Sequence, residues 1–167
     1  EKEISRELTA KQKADQKLKA AIKSAIDREI KLARAKAAAE AKAANAKAET
    51  EPGAKKEVKK TSGSVFESTP EGLAMTGNFE KNKGRMPWPI EKGNIKIRFG
   101  TYSIEGTKLR GNNPGLTMET EPGAVVKAVF DGEVSRIFDI EGNWTVLVRH
   151  GKYFTVYSNL SAVSVQK

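Results

Sequence analysis

The sequence of 167 residues has no cysteine and only one histidine, His150. Without cysteine, neither a disulfide framework nor a thiolate metal site can form. A hydrolytic zinc site takes about three protein ligands from His, Asp, Glu or Cys. A single histidine also leaves serine and threonine nucleophiles without a base network. These absences argue against thiol, hydrolytic zinc and serine-type chemistry, and we expect no catalytic residue, bound metal or cofactor.

Long apolar runs and aromatic residues are also scarce. No run of 18 apolar residues occurs, so the sequence shows no membrane span of the usual length. Aromatic residues make up 7% of the chain, and none precedes Phe66. The first residues, Glu1-Lys2-Glu3, resemble neither a signal peptide nor a natural start. We therefore expect the sequence to be a fragment.

The positive charge is unevenly distributed. Residues 1–60 hold 17 Lys/Arg and 10 Asp/Glu (17 − 10 = +7), whereas residues 61–167 hold 13 and 11 (13 − 11 = +2). A nucleic-acid surface would combine basic residues with aromatic ones on one face. The basic segment has no aromatic residue and its charges of both signs are interspersed. A solvated helix surface explains this pattern better than nucleic-acid binding.

The first 50 residues predict one long helix, from residue 3 to about 49. Leu18, Ile22, Ile26 and Ile30 are spaced by four, which places a narrow apolar stripe on a charged rod. Ten of the sixteen residues from 33 to 48 are alanine, which favours a helix but buries little. We therefore predict a coiled-coil domain at 1–50, as half of an antiparallel helical hairpin. A single solvated helix is the alternative.

A linker and an extended arm are predicted at 51–79. Glu51-Pro52-Gly53 is a helix stop signal, and the charged and Ser/Thr/Gly-rich residues after it suggest a mobile connection. Four apolar residues then follow without helical or strand period, and we interpret them as anchors of an arm laid across the next domain. They are Phe66, Leu73, Met75 and Phe79.

Residues 80–167 read as an antiparallel β domain. Alternating apolar residues predict strands at 95–99, 124–130, 132–139, 144–149 and 152–157. The predicted turns between the later strands are Asp131-Gly132, Glu141-Gly142-Asn143 and His150-Gly151. The fold class is therefore α+β, with a long N-terminal helix followed by antiparallel strands.

Side-chain pattern also predicts one register. With a three-residue loop at 150–152, Val148 faces Phe154 and Val146 faces Val156, so apolar residues share one face. A two-residue loop that pairs Val148 with Tyr153 would mix the faces. The preferred register directs four polar positions to one side of the sheet, which are Thr145, Tyr157, Asn159 and Ser161.

Several motifs from about residue 78 onward resemble the lysostaphin/LytM-type peptidase domain (peptidase family M23). Each piece is weak alone, but the order and spacing of all five are specific. The pieces are Gly84-Arg85-Met86-Pro87-Trp88-Pro89-Ile90, Phe99-Gly100, Asn113-x-Gly115-Leu116-x-Met118, the run from Val126 to Val134, and His150-Gly151 to Tyr157-x-Asn159-Leu160.

The resemblance implies that the chemistry of that family is lost here. The family has His-x-Gly-(Ile/Leu)-Asp at the first site and Tyr-x-His-Leu at the second. The two ligand positions are occupied by Asn113 and Thr117, and the position of the catalytic imidazole by Asn159. Uncharged amide and hydroxyl oxygens are poor zinc ligands. The family's third ligand comes from a later segment, so we expect the domain to be incomplete at its C-terminal end.

With a coiled coil before it, such a domain resembles the EnvC-like murein hydrolase activators. The resemblance implies an exported periplasmic or cell-envelope protein with no activity of its own, which binds and switches on a peptidoglycan amidase during cell division. A division-associated membrane complex is a further expected partner of the coiled coil. The expected partner-binding groove is neutral and is formed by Asn113, Thr117, Thr145, Tyr157, Asn159 and Ser161. The arm at 63–79 is a candidate for masking it.

Other interpretations remain open at this point. The inactive cleft could bind peptidoglycan directly, or, more remotely, the chain could be an active zinc endopeptidase with unusual ligands. The run Asn112-Asn113-Pro114-Gly115 also suits a turn without function. His150, before a glycine, is interpreted as a structural turn residue rather than a catalytic one.

Overall fold

The computed structural model describes residues 2–48 and 64–165, with the side chains of 43–48 left aside. It confirms the α+β class, because a long helix is followed by antiparallel strands. The helices are α1 (Lys2–Ala48), a 3₁₀ helix (Val65–Glu67) and α2 (Pro70–Lys81). The strands are β1 (Asn94–Ile97), β2 (Gly100–Ser103), β3 (Arg110–Asn113), β4 (Thr117–Glu119), β5 (Glu133–Ile140), β6 (Asn143–His150) and β7 (Tyr153–Leu160).

The chain forms two compact units, each of which combines segments that are distant in sequence. Unit 1 comprises Glu1–Leu18 and Met86–Val129, and unit 2 comprises Lys19–Arg85 and Phe130–Lys167. The predicted domain boundaries at 50/51 and 79/80 follow local composition and stay a prediction. Most of the predicted linker, at 51–63, lies outside the described residues. We describe each unit by itself.

Helix α1 confirms the predicted helix at 3–49. Within unit 2, Ala25 is only 4% exposed, and Ile22, Ile26 and Ile30 are half-buried. The apolar stripe read from the sequence is thus the less exposed side of this helix. Leu32 is 54% exposed. Pairing with a second helix in a hairpin stays a prediction. Among the described residues, no helix is both long and apolar enough to cross a membrane.

The predicted extended arm is wrong, because the residues from Val65 to Lys81 are mostly helical. Thr69 caps α2 by accepting a hydrogen bond from the Gly72 N–H at 3.1 Å, and Pro70 occupies the first helical turn. The less exposed positions of α2 are Gly72, Met75, Thr76, Gly77 and Phe79. Three of these five are glycine or threonine, so the apolar period indicates this helix only weakly.

Unit 2 is built on a three-stranded antiparallel sheet in the order β5-β6-β7. The predicted strands at 132–139, 144–149 and 152–157 are confirmed with shifts of up to three residues. Central strand β6 holds the core, since Val146, Leu147 and Val148 are at most 5% exposed. The hairpin before it turns at Glu141-Gly142, where both residues have positive φ, as such two-residue turns require.

The observed register between β6 and β7 differs from the predicted one. A three-residue loop would pair Val148 with Phe154, and the rejected alternative would pair it with Tyr153. In the structure Val148 pairs with Thr155, and the loop is only Gly151-Lys152. A shift of one residue moves every side chain of one strand to the other face relative to its partner. The predicted grouping of faces is therefore wrong as well.

Helix α2 gives the physical reason for this tight turn. Gly151 has a φ of 65°, and a Cβ built there would lie 2.1 Å from Thr76 Oγ1. The Lys152 N–H donates a hydrogen bond to the same hydroxyl at 3.1 Å. The turn thus fits against α2, a contact between residues that are 76 positions apart. No local sequence pattern contains this information.

Unit 1 contains two separate two-stranded ribbons, β1-β4 and β2-β3. The predicted strand at 95–99 is shorter, since β1 ends at Ile97 and β2 starts at Gly100 with a φ of 104°. The predicted strand at 124–130 is wrong. That segment is irregular, with a hydrogen bond from the Lys127 N–H to the Pro89 carbonyl at 2.8 Å. Asp131-Gly132 is accordingly not a hairpin turn.

Candidate functional site

The two predicted ligand positions of unit 1 lie together. Asn113 ends β3 and Thr117 begins β4, and the Asn113 amide donates a hydrogen bond to Thr117 Oγ1 at 3.1 Å. Asn113 is 8% exposed and Thr117 is half-buried. The same amide nitrogen lies 3.1 Å from the Ile97 carbonyl and 3.3 Å from the Arg98 carbonyl. Asn113 therefore joins both ribbons of unit 1 through one side chain.

This arrangement is a neutral hydrogen-bond clamp. The nitrogen of an amide group donates protons and has no lone pair to offer a metal. Here that nitrogen faces Thr117 Oγ1 and two carbonyl oxygens, so the donor end of Asn113 is engaged within the protein. Within the described ranges, no group of three or more His, Cys, Asp or Glu side chains could hold a metal ion.

Exposed apolar side chains border this clamp in the chain. Phe99, directly after the carbonyl of Arg98, is 74% exposed, and Leu116, next to Thr117, is 50% exposed. Both belong to unit 1, where no apolar side chain among the described residues is fully buried. Unit 1 thus exposes apolar side chains that are next in the chain to residues of a neutral polar clamp.

The four predicted positions in unit 2 do not form one group. Thr145 is 2% exposed, whereas Asn159 and Ser161 are exposed and Tyr157 is half-buried. Tyr157 pairs with Val146, so it shares a face with Val146 and lies on the opposite face from Thr145. This corrects the prediction that all four point to one side.

A bulge in β7 explains the position of Asn159. Between the pairs Trp144–Leu160 and Val146–Tyr157, β6 has one residue and β7 has two. Asn159 lies in this bulge with a φ of 61°, a left-handed conformation that asparagine tolerates better than most residues. The bulge turns its side chain toward solvent.

Unit 2 also contains a polar cluster that the sequence did not indicate. Lys152 Nζ lies 3.1 Å from a Glu67 oxygen and 3.0 Å from a Glu80 oxygen, and the Tyr153 hydroxyl donates to Glu80 at 2.7 Å. The hydrogen bonds from Tyr153 and Lys152 lower the pKa of Glu80. Contact with Glu80 and Glu67 raises the pKa of Lys152, and that with Glu80 raises the pKa of Tyr153. The cluster fastens α2 and the 3₁₀ helix to the β6–β7 turn.

His150 lies at the end of β6 rather than in the predicted turn. It is fully buried, with Nδ1 2.7 Å from the Asp131 carbonyl and Nε2 2.9 Å from Thr155 Oγ1. A carbonyl only accepts, so Nδ1 donates to Asp131, while Nε2 shares a hydrogen bond with the Thr155 hydroxyl. Phe79 stacks on the ring at 4.9 Å. Both nitrogens are thus engaged within the protein.

The contacts of α2 also bear on the masking hypothesis. Phe79 and Thr76 contact the turn end of the β6–β7 hairpin. Tyr157 and Asn159 lie several residues farther along β7, toward its other end. The described part of the arm is therefore fastened away from these two positions, and its contacts do not support masking of them.

Unit 2 contains a cleft with a volume of about 410 Å³. It lies between α1, the helical segment after Ser64 and the sheet, and it contains charges of both signs, including Glu29, Lys36 and Arg149. None of the predicted site residues lines it.

Comparisons of this chain with protein-family models, curated proteins and solved structures found no match.

Proposed function

We propose that the chain is a non-catalytic activator of peptidoglycan amidases in the cell envelope, with a degenerate LytM-like β domain that binds the amidase. The observation that supports this best is the Asn113–Thr117 clamp of unit 1. At the positions where the peptidases that its motifs resemble have ligands, this chain has a donor amide hydrogen-bonded to a hydroxyl at 3.1 Å. Such a pair maintains local structure and remains neutral.

The surroundings of the clamp support a protein partner. Phe99 and Leu116 expose apolar surface beside a neutral polar centre. Apolar and aromatic side chains of this kind are frequent anchors in protein interfaces. We propose that an inhibitory segment of the amidase binds over Phe99 and Leu116. Binding there draws the segment away from the rest of the amidase, which relieves the enzyme's own inhibition.

In unit 2, the exposed positions Asn159 and Ser161 and the half-buried Tyr157 are proposed as further contacts. Thr145 is buried and cannot reach a partner, so we leave it out of the contact surface. The two sets of positions are proposed independently, and each is tested by its own substitution.

Calorimetric titration with a purified peptidoglycan amidase from the same organism tests this proposal. Phe99→Lys and Asn159→Arg should each weaken binding by tenfold or more, since an interface charge left unpaired costs more than about 1.4 kcal/mol. Ser164→Arg, at an exposed position outside the proposed contacts, is the matched control and should leave binding unchanged.

Two outcomes would contradict the proposal. Unchanged amidase binding in both variants would exclude the proposed surface. Sedimentation of the chain with purified peptidoglycan in the absence of any amidase would instead favour direct wall binding through the inactive cleft.

A further inference from the structure

The charged residues of α1 are sorted by side within unit 2. Successive residues of a helix are turned by about 100°, so residues three or four apart share a side. Glu29, Lys36 and Glu40 line the cleft of unit 2, and Ala25 on the same side is only 4% exposed. In the sequence, basic and acidic residues are interspersed. The helix separates them, because two of the three acidic residues at 19–42 lie on the cleft side.

The side of α1 that is turned away from the cleft is basic. Eleven residues between 20 and 42 lie within an arc of about 140° opposite the cleft, and all eleven are exposed. Five are Lys or Arg and one is Asp, which gives a net charge of 5 − 1 = +4, and the other five are alanine or serine. We call this side the basic face, and its charged residues are Lys23, Asp27, Arg28, Lys31, Arg34 and Lys42.

The basic side chains are available for a partner. Within the described part of the chain, no ion pair engages any of the five Lys and Arg side chains of the basic face. Asp27 is the one acidic residue among them, and it offsets only a fifth of their charge. The face therefore presents an excess of positive charge to the solvent.

The basic face is long and straight. With a rise of about 1.5 Å per residue, Lys23 and Lys42 are about 28 Å apart along the axis. Alanine and serine are short, so no uncharged side chain of this face extends as far as the lysines and arginines do. Because these long side chains are flexible, their charged groups can reach one flat surface together.

We propose that the basic face binds the surface of an anionic lipid membrane, with α1 lying along the headgroups. Clusters of about four to eight Lys and Arg on a helix are attracted by anionic lipids, and each basic residue strengthens binding roughly fivefold. Interfacial helices commonly insert apolar side chains among the lipids. The basic face has no apolar side chain larger than alanine, so binding is electrostatic and requires no insertion.

A nucleic acid is a less favourable partner for this face. Besides arginine, proteins use Asn, Gln and aromatic side chains to recognise bases, and the basic face contains none of these three kinds of residue. It can attract phosphate groups but has little to position bases. A straight face with short side chains between its charges fits the flat layer of lipid headgroups better.

Flotation with lipid vesicles tests the proposal. The chain should bind vesicles of equal parts phosphatidylcholine and phosphatidylglycerol but not vesicles of phosphatidylcholine alone. Salt should weaken the binding, since it screens exposed charges. Lys31→Gln should lower the partition coefficient about fivefold, and its combination with Arg34→Gln about 25-fold. Glutamine has nearly the helix propensity of these residues, so the helix is retained.

Lys36→Gln is the matched control. Lys36 is an exposed lysine of the same helix, but it lies on the cleft side, so its substitution should change the partition coefficient by less than about twofold. Equal partition into the two kinds of vesicle, or equal losses in Lys31→Gln and Lys36→Gln, would overturn the proposal.

Duplex DNA of random sequence distinguishes the other partner. Tighter binding to this DNA than to the anionic vesicles at the same ionic strength would assign the basic face to a nucleic acid and would also overturn the proposal. None of these measurements contains an amidase, so their outcome is independent of the proposed amidase binding.

Discussion

Different kinds of contact stabilise the interior of unit 2 and the interior of unit 1. In unit 2, the apolar residues of β6 are buried and aromatic rings fasten α2 to the sheet, as Phe79 does against His150. In unit 1, Trp88, Phe99 and Val125 are more than 60% exposed, and polar contacts such as the Asn113 clamp connect the ribbons. The difference indicates that the buried apolar core lies in unit 2, whereas unit 1 exposes its apolar side chains to solvent.

Polar contacts support the ribbons of unit 1 at several further points. Lys127 pairs with Glu91 at 2.6 Å, and Lys96 pairs with Glu119 at 2.7 Å. Because these pairs are mostly exposed to solvent, each contributes little to the stability of the fold. A unit held in this way can rearrange around a partner more easily than a packed core.

The largest effect should come from the core of unit 2. Leu147 is fully buried, so Leu147→Ala should lower the free energy of unfolding by about 2–5 kcal/mol through lost packing and the cavity left behind. Trp88→Ala in unit 1, where the side chain is 61% exposed, should cost much less. Urea unfolding followed by circular dichroism measures both, and equal losses would contradict the contrast between the units.

A smaller effect is expected at the turn that fits against α2. Gly151→Ala adds a methyl group 2.1 Å from Thr76 Oγ1 at a positive φ, so it should destabilise unit 2 by more than about 1 kcal/mol. Gly106→Ala in unit 1 is the matched control, since its φ of 73° causes similar strain with nothing within 4 Å. The difference in thermal midpoint isolates the contact with α2, and no difference would refute it.

Loss of the Asn113 clamp in unit 1 should lower stability by an amount similar to, or smaller than, the loss expected for Gly151→Ala. Asn113→Ala removes the donor shared by two carbonyls and Thr117, so it should cost about 1–3 kcal/mol of local stability. Hydrogen exchange in β1 and β4 should accelerate, while exchange in β6 remains slow. If β1 and β4 exchange as before, the clamp does not hold the ribbons together.

The smallest expected effect is a dependence on pH at the polar cluster of unit 2. A carboxyl whose pKa is lowered by folding stabilises the fold above its ordinary pKa, and this is lost as the pH falls through the lowered value. Glu80, with its pKa lowered by Tyr153 and Lys152, should therefore contribute at neutral pH and not in strong acid.

Thermal unfolding of Glu80→Gln across acidic and neutral pH measures this contribution. The variant should be less stable than the unmodified chain at neutral pH, and the gap should close below the ordinary carboxyl pKa of about 4.3. Glu121→Gln, at an exposed position in unit 1, serves as the control. A gap that is the same at every pH would assign the loss to something other than the charge.

Sequence alone predicted much of this fold, and its failures share one cause. The long helix and the last three strands follow from apolar period and turn residues. Helix α2 was missed because Gly72 and Thr76 occupy its less exposed side. The β6–β7 register was wrong because Thr76 meets Gly151, a contact set by tertiary packing. Local patterns do not encode contacts between distant segments.

At the candidate site too, a local motif predicted some features correctly, whereas features set by tertiary packing were missed. Asn113 and Thr117 were grouped from a motif, and the structure places them in hydrogen-bond contact. Thr145 was grouped with Tyr157 through the predicted register, and the one-residue shift puts them on opposite faces. The polar cluster around Lys152 joins three distant segments, so no spacing in the sequence could have indicated it.

The central claim is that a neutral, non-catalytic surface acts through a partner enzyme. Release of dye from labelled peptidoglycan tests it most directly, with the chain alone, a peptidoglycan amidase alone, and both together. The account predicts no release by the chain alone and faster release when the chain is added to the amidase, with the increase lost in Phe99→Lys. Release by the chain alone, or an amidase rate unaffected by the chain, would contradict it.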